Sequence, residues 1–103
     1  MLAHSVYFSL KESSDAGRKK LLASCSKHLV DHPGIVFFAT GTLATELNRP
    51  VNDRDFDVAL HVVFTNQEAH DQYQVSQRHV QFVEENRATW KKVRVFDSVV
   101  EKA

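Results

Sequence analysis

The chain has one cysteine, Cys25, among its 103 residues, so no internal disulfide can form. Cys25 falls on the apolar side of a predicted helix, where a small thiol serves as packing rather than as a nucleophile. An excess of charge is also missing. Thirteen acidic residues balance thirteen basic ones, so no long-range field draws the protein to nucleic acid or to an anionic membrane, and neither partner is expected. No apolar run is longer than the strand-sized stretch Ile35–Ala39, and Met1-Leu2-Ala3-His4 has neither the charged start nor the apolar segment of a signal peptide. A cytoplasmic location is therefore expected. The sequence has no phosphate loop, nucleophile elbow, CxxC pair or HExxH helix, which argues against nucleotide and zinc enzymes. Its six histidines offer no ligand spacing with an acid completing the set, so neither a metal nor a cofactor is expected.

What is present reads as one domain over residues 1–103, near the commonest size for a single core. From Leu2 to Leu10 the residues alternate, with His4, Val6, Phe8 and Leu10 on one face and Ser5, Tyr7 and Ser9 on the other. Leu21, Leu22, Cys25 and Leu29 then recur at helical steps after the capping stretch Lys11–Asp15, and Pro33-Gly34 ends that helix. Ile35–Leu43 reads as a second strand and Ala44–Asp55 as an exposed loop. Alternation returns from Phe56 to Phe64, placing Phe56, Val58, Leu60, Val62 and Phe64 together. Thr65 with Glu68 forms a capping box for a short helix carrying Tyr73, and Ser76 caps a second helical piece in which His79, Phe82, Val83 and Asn86 share a face. Trp90 and a last strand from about Lys92 to Val100 complete the order β-α-β-β-α-β, with the second helix broken.

This is the ferredoxin-like α+β arrangement, in which a four-stranded antiparallel sheet carries its helices on one face. The other face then shows Tyr7, Ala59, His61, Val63, Arg94 and Phe96, too apolar to stay in water comfortably. Face-to-face association of two such sheets would bury it, so a homodimer with a closed two-sheet barrel is expected.

Polar residues stand at a few positions where apolar ones belong: His4 at the head of the apolar face of the first strand, Tyr73 and His79 on the helix faces above the sheet, and Asp97 on the side of Val93 and Val95. A histidine and a tyrosine in one apolar cleft form an acid/base pair, the imidazole taking a proton and the phenol donating to a developing oxyanion. Each also has a structural reading: His4 as a strand-end tie, Asp97 as its partner, Tyr73 as core. His28, His32 and His70 are expected to be solvated, and His61 to lie at the dimer seam.

Taken in order, His4-Ser5-Val6-Tyr7-Phe8, Gly41, Asp57–Phe64, Tyr73 with His79, Phe82, Trp90 and Val95-Phe96-Asp97 resemble the stress-responsive dimeric α/β-barrel (Dabb) family over nearly the whole chain. The resemblance implies a ferredoxin-like protomer and a homodimer. It also implies that Tyr73 and His79 match the catalytic tyrosine and histidine of a plant polyketide cyclase in that family, and His4 and Asp97 its pocket residues. Val58 stands where that cyclase has a further pocket histidine, and Ser76-Gln77-Arg78 replaces a proline common before the helical histidine. The expected site is therefore His79 and Tyr73 as catalytic groups, with His4, Asp97, Val58, Phe82, Trp90 and Val95 around a small apolar or aromatic ligand. A non-catalytic stress or assembly protein, and a monooxygenase-like barrel that needs no cofactor, are the alternatives.

Overall fold

The computed structural model describes residues 1–102. Its elements are β1 (Leu2–Leu10), α1 (Asp15–His28), β2 (Ile35–Thr42), β3 (Val58–Phe64), α2 (Gln67–Val75), α3 (Gln77–Asn86) and β4 (Trp90–Val99), with a 3-10 turn at Arg87–Thr89. The strands pair antiparallel in the order β2-β3-β1-β4. β1 is paired along both edges: His4 lies opposite Val62 and Asp97, and Val6 opposite Leu60 and Val95. Directly opposed residues of antiparallel strands point to one side. The even-numbered positions of β1 therefore meet Val58, Leu60, Val62 and Phe64 in a single core, closed from above by Leu21, Cys25 and Leu29, by Tyr73 of α2 and by Phe82 of α3.

The helix ends follow from side chains that satisfy orphan backbone groups. Ser14 accepts from the Gly17 amide and starts α1. At the other end of α1, Arg78 reaches across from α3 and donates to the carbonyls of Lys27 and Val30 at 2.9 and 2.8 Å. The cap of α2 is Asn66, which accepts from the Ala69 amide, rather than the Thr65 of the capping-box pattern. The Thr65 amide is already committed to the Gly34 carbonyl at 2.9 Å, so the chain leaves β3 one residue further on. Gly34 itself has φ +87°, and a Cβ there would sit 2.4 Å from that of Ala69. Only glycine lets the start of β2 and the first turn of α2 approach so closely.

Two parts of the sequence reading are corrected. β3 begins at Val58, because the alternation slips at Asp57: Phe56 swings to the bare face, its ring centroid 4.9 Å from that of Tyr7. Asp57 is buried, and its carboxylate accepts from the Leu10 amide at 2.8 Å, from Arg18 at 3.0 Å and from the Ser13 hydroxyl. Burial works against its charge, but these donors together outweigh it and hold its pKa below the ordinary value. The second correction concerns the histidines. His28 and His32 are buried, His28 beside Glu85 at 2.9 Å and His32 donating to the His28 carbonyl at 2.8 Å, while His70 is half-buried. Each sits where a helix end meets the body of the protein, and a polar tip with local partners tolerates that position.

The bare face carries Tyr7, His61 and Phe96 as expected, with Ser5 and His61 hydrogen-bonded at 3.1 Å. Phe37 and Phe96 remain 55% exposed. The connection from β2 to β3 lies against this face. Arg94 donates to Asp53 at 2.6 Å and Lys92 to Asp55 at 2.5 Å, tying that loop to β4.

Asp57 joins β1, α1 and the entry to β3, so its removal leaves the Leu10 amide and Arg18 without their acceptor. Asp57→Ala should cost about 2–3 kcal/mol and lower the melting temperature by roughly 10 °C or more at pH 7. A fall of only a degree or two in thermal unfolding would show that the carboxylate does not tie these elements.

Candidate functional site

Between the β1–β4 half of the sheet and the α2–α3 pair lies a cavity of about 330 Å³. Its floor is the helix-facing row of two strands, His4, Val6 and Phe8 from β1 with Val93, Val95 and Asp97 from β4. Its roof comes from α2, through His70, Tyr73 and Gln74, and from α3, through His79 and Phe82, with Trp90 at one end. The break between the helices sets this roof. Ser76 is extended, with ψ 151°, and its hydroxyl donates to the Tyr73 carbonyl at 2.9 Å while accepting from the His79 amide at 3.2 Å. One residue thus ends α2 and starts α3, and it turns Tyr73 and His79 toward each other, ring centroids 4.9 Å apart.

His4 is held from both ends. Its Nδ1 is 2.5 Å from an Asp97 oxygen, which places the proton on Nδ1, and the Gln74 amide donates to Nε2 at 3.3 Å. Burial lowers its pKa, and the hydrogen bond and charge of Asp97 oppose that without cancelling it. His79 has no such partner, since its imidazole makes no hydrogen bond to any described residue. Burial pushes its pKa down to about 4, with the neighbouring imidazoles of His4, His32 and His70 adding to the effect. Its ring is therefore neutral at pH 7, with an unshared lone pair on one nitrogen. Tyr73 stands at the centre of this group, its ring 5.0 Å from His32 and 6.1 Å from His4. Burial raises its pKa, so the phenol stays protonated, and its hydroxyl is buried with no partner among the described residues. The Trp90 indole Nε1–H is in the same condition. An unsatisfied buried donor costs about 1–3 kcal/mol, and two beside one cavity mark a place suited to an acceptor from outside the chain. Cys25, away from this wall, has its thiol pushed up to about 12 by burial and is inert.

The model of the stress responsive A/B barrel domain, Dabb, matches residues 2–100 of the sequence. The chain belongs to the Dabb family. No curated protein matches the sequence. Among solved structures, this Dabb domain is similar to a Dabb protein with a ferredoxin-like fold from Mesorhizobium loti, at 24% identity and TM-score 0.78 over 98% of this chain and 97% of that one. It is similar to the hydroxynitrile lyase of Passiflora edulis, at 19% identity and TM-score 0.76 over 99% and 94%. A dimeric ferredoxin-like protein of unknown function from Thermobifida fusca matches at 12% identity and TM-score 0.77 over 96% and 90%. At these identities the likeness is one of fold.

Of the residues singled out in the sequence, the Dabb domain brings His4, Tyr73, His79, Phe82, Trp90, Val95 and Asp97 to one cavity. Val58 is not on its wall. It is fully buried in the core opposite Phe8 and Thr42, at the end of β3 beyond Leu60, the residue of that strand that does reach the cavity. Three residues of the site were not read from the sequence: His70, Gln74 and His32. His70 lies one helical turn before Tyr73 and Gln74 follows it, so the spacing that placed Tyr73 carried a signal for both. His32 follows a helix end and had none.

A histidine with a depressed pKa disfavours protonation of the folded state. Between pH 6.5 and about 4 the unfolded chain binds more protons at His79 than the folded one, so stability is full above this window and falls as the pH drops through it. His4 acts in the same direction. Thermal unfolding of the unmodified Dabb domain should show this loss, and His79→Gln should make the slope shallower while changing the melting temperature at pH 7.5 only slightly. An unchanged slope in the variant would rule out His79 as its source.

Proposed function

We propose that this domain works as a homodimer that binds a small apolar or aromatic molecule bearing a carbonyl or phenol oxygen in the cavity between sheet and helices. The observation that carries the reading is the Tyr73 hydroxyl, buried and without a partner among the described residues, beside a largely apolar space of about 330 Å³. A ligand oxygen accepting from Tyr73, and from the Trp90 indole, would satisfy donors that the protein leaves open. The apolar remainder of the ligand would lie against Phe82, Val95 and Trp90.

Chemistry at this site is proton transfer carried by side chains. His79, neutral at pH 7, takes a proton from carbon next to the ligand carbonyl, and Tyr73 donates a hydrogen bond to the enolate oxygen that forms. His4, held by Asp97 and Gln74, forms part of the cavity floor as a fixed wall. The likeness in fold to a hydroxynitrile lyase supports an active Dabb domain, and that to a protein described as dimeric supports the homodimer. The exposed Phe37 and Phe96 on the bare face support the same pairing. A non-catalytic reading has one observation in its favour: both ring nitrogens of His4 are already satisfied, which suits a tie between α2 and the sheet. The partnerless His79 ring and the cavity beside it favour the first reading.

Trp90 is the only tryptophan and lies on the cavity wall, so its fluorescence reads binding directly. Titration with 4-hydroxyacetophenone or 2-naphthol, in EDTA, should give saturable quenching. Tyr73→Phe should weaken binding by about five- to tenfold, the scale of one buried hydrogen bond, while leaving the melting temperature unchanged or raised. No saturable quenching across a panel of such aromatics, or a large loss of stability in Tyr73→Phe, would favour the structural reading. Light scattering should give twice the chain mass, and Phe96→Glu should shift it to the monomer; a monomeric unmodified protein would exclude the pairing.

A further inference from the structure

At the mouth of the cavity, His4 of β1, His70 of α2 and Asp97 of β4 each present a ligand-type atom within 4.8 Å of the others. No two of them are neighbours in sequence; the pairing of β1 with β4 and the packing of α2 over β1 bring them together. We propose that these three residues form a binding site for one divalent transition metal ion of the zinc class, with an open coordination position facing the cavity.

The chemistry of the donors fits such an ion. Two imidazoles and one carboxylate are borderline ligands, and three protein groups with one position left over is the arrangement of reactive rather than structural zinc sites. The two histidines are disposed as metal-binding pairs are. Their ring centroids lie 4.9 Å apart and their planes are inclined by 60°. Two imidazoles that share an ion at roughly 2.1 Å in a tetrahedral arrangement have centroids about 5 Å apart. His70 also has a carboxylate outside the ligand set on its Nδ1, from Asp71 at 2.9 Å. That outer contact leaves Nε2 of His70 as a lone pair and fixes its ring, as the carboxylate–histidine–metal pattern requires. At His4 and Asp97 the ion would take the place of the proton they share, bound by Nδ1 and the carboxylate together, because the Gln74 amide holds Nε2.

Ligand atoms around a tetrahedral ion stand roughly 3.3 Å apart, so the cluster must contract by somewhat over 1 Å at its widest. The side chains able to move are the outer ones. Asp97 is 43% exposed and His70 15%, whereas His4 at 5% is the fixed point. His79 and Tyr73 line the same cavity and remain free beside the open position. Because a proton leaves as the metal enters, affinity should fall steeply with acidity.

The inference shares a wall with the ligand cavity but is tested with metal alone. Calorimetric titration of the EDTA-stripped, full-length protein with Zn²⁺ at pH 7.5 should give one ion per chain, and Co²⁺ should develop the intense visible bands of four- or five-coordination. His70→Ala and Asp97→Asn should each weaken binding about tenfold or more while circular dichroism stays native. On the unmodified protein, long-range ¹H–¹⁵N spectra of the imidazoles should move at His4 and His70 on adding Zn²⁺. The proposal is overturned by absence of saturable binding, by variants that bind as tightly as the unmodified protein, or by shifts confined to His28, His32 or His61. Since quenching by aromatic ligands is measured in EDTA, either result can fail without the other.

Discussion

Double pairing of β1 is the constraint on which the rest of this molecule depends. A strand flanked on both edges has no freedom of register, so each of its side chains is assigned to one face by the partners opposite it. His4 must point toward the helices because Val62 and Asp97 do. Tyr7 must point away because Ala59 and Arg94 do. The core, the cavity floor and the bare face all follow from that single assignment, and a slip of one residue would exchange them.

The parts of the fold that obey a strict period were legible for this reason. Leu2–Phe8 and Leu60–Phe64 repeat every second residue and the sheet keeps that repeat, which gives way only at Ser9, where the β1–β4 register shifts, and at Ala59, which is buried as well. Legibility failed where a polar group overrode the period. Asp57 could not remain opposite its strand neighbours and keep its charge, so it turned to the Leu10 amide and Arg18, sending Phe56 to the other face. The buried histidines failed likewise: a helix-end imidazole with a carboxylate or carbonyl beside it can be buried, but that partner lies 57 residues away in the case of His28.

The candidate site was read in outline, since an odd polar residue on an apolar stripe is visible in one dimension. Its composition was not. His70 looked like one more solvated residue until α2 was laid across β1, and Val58 looked like a wall residue until the register of β3 put Leu60, not Val58, against the cavity. Ligand spacing along a chain finds metal sites built within one helix or loop. It is blind to a cluster assembled from β1, α2 and β4, because sheet order, which brings residue 4 beside residue 97, leaves no local trace.

Ser76 has a consequence of its own. Its hydroxyl serves the Tyr73 carbonyl and the His79 amide together, so the two helices meet at a universal joint rather than at a flexible linker. A tilt of α3 would therefore be felt at the Tyr73 carbonyl, so the backbones that carry the two rings are coupled. Loss of the Ser76 hydroxyl would uncouple the two backbones, whereas a shift of the helices that keeps it would carry them together. The positions of the two rings are set from one hydroxyl.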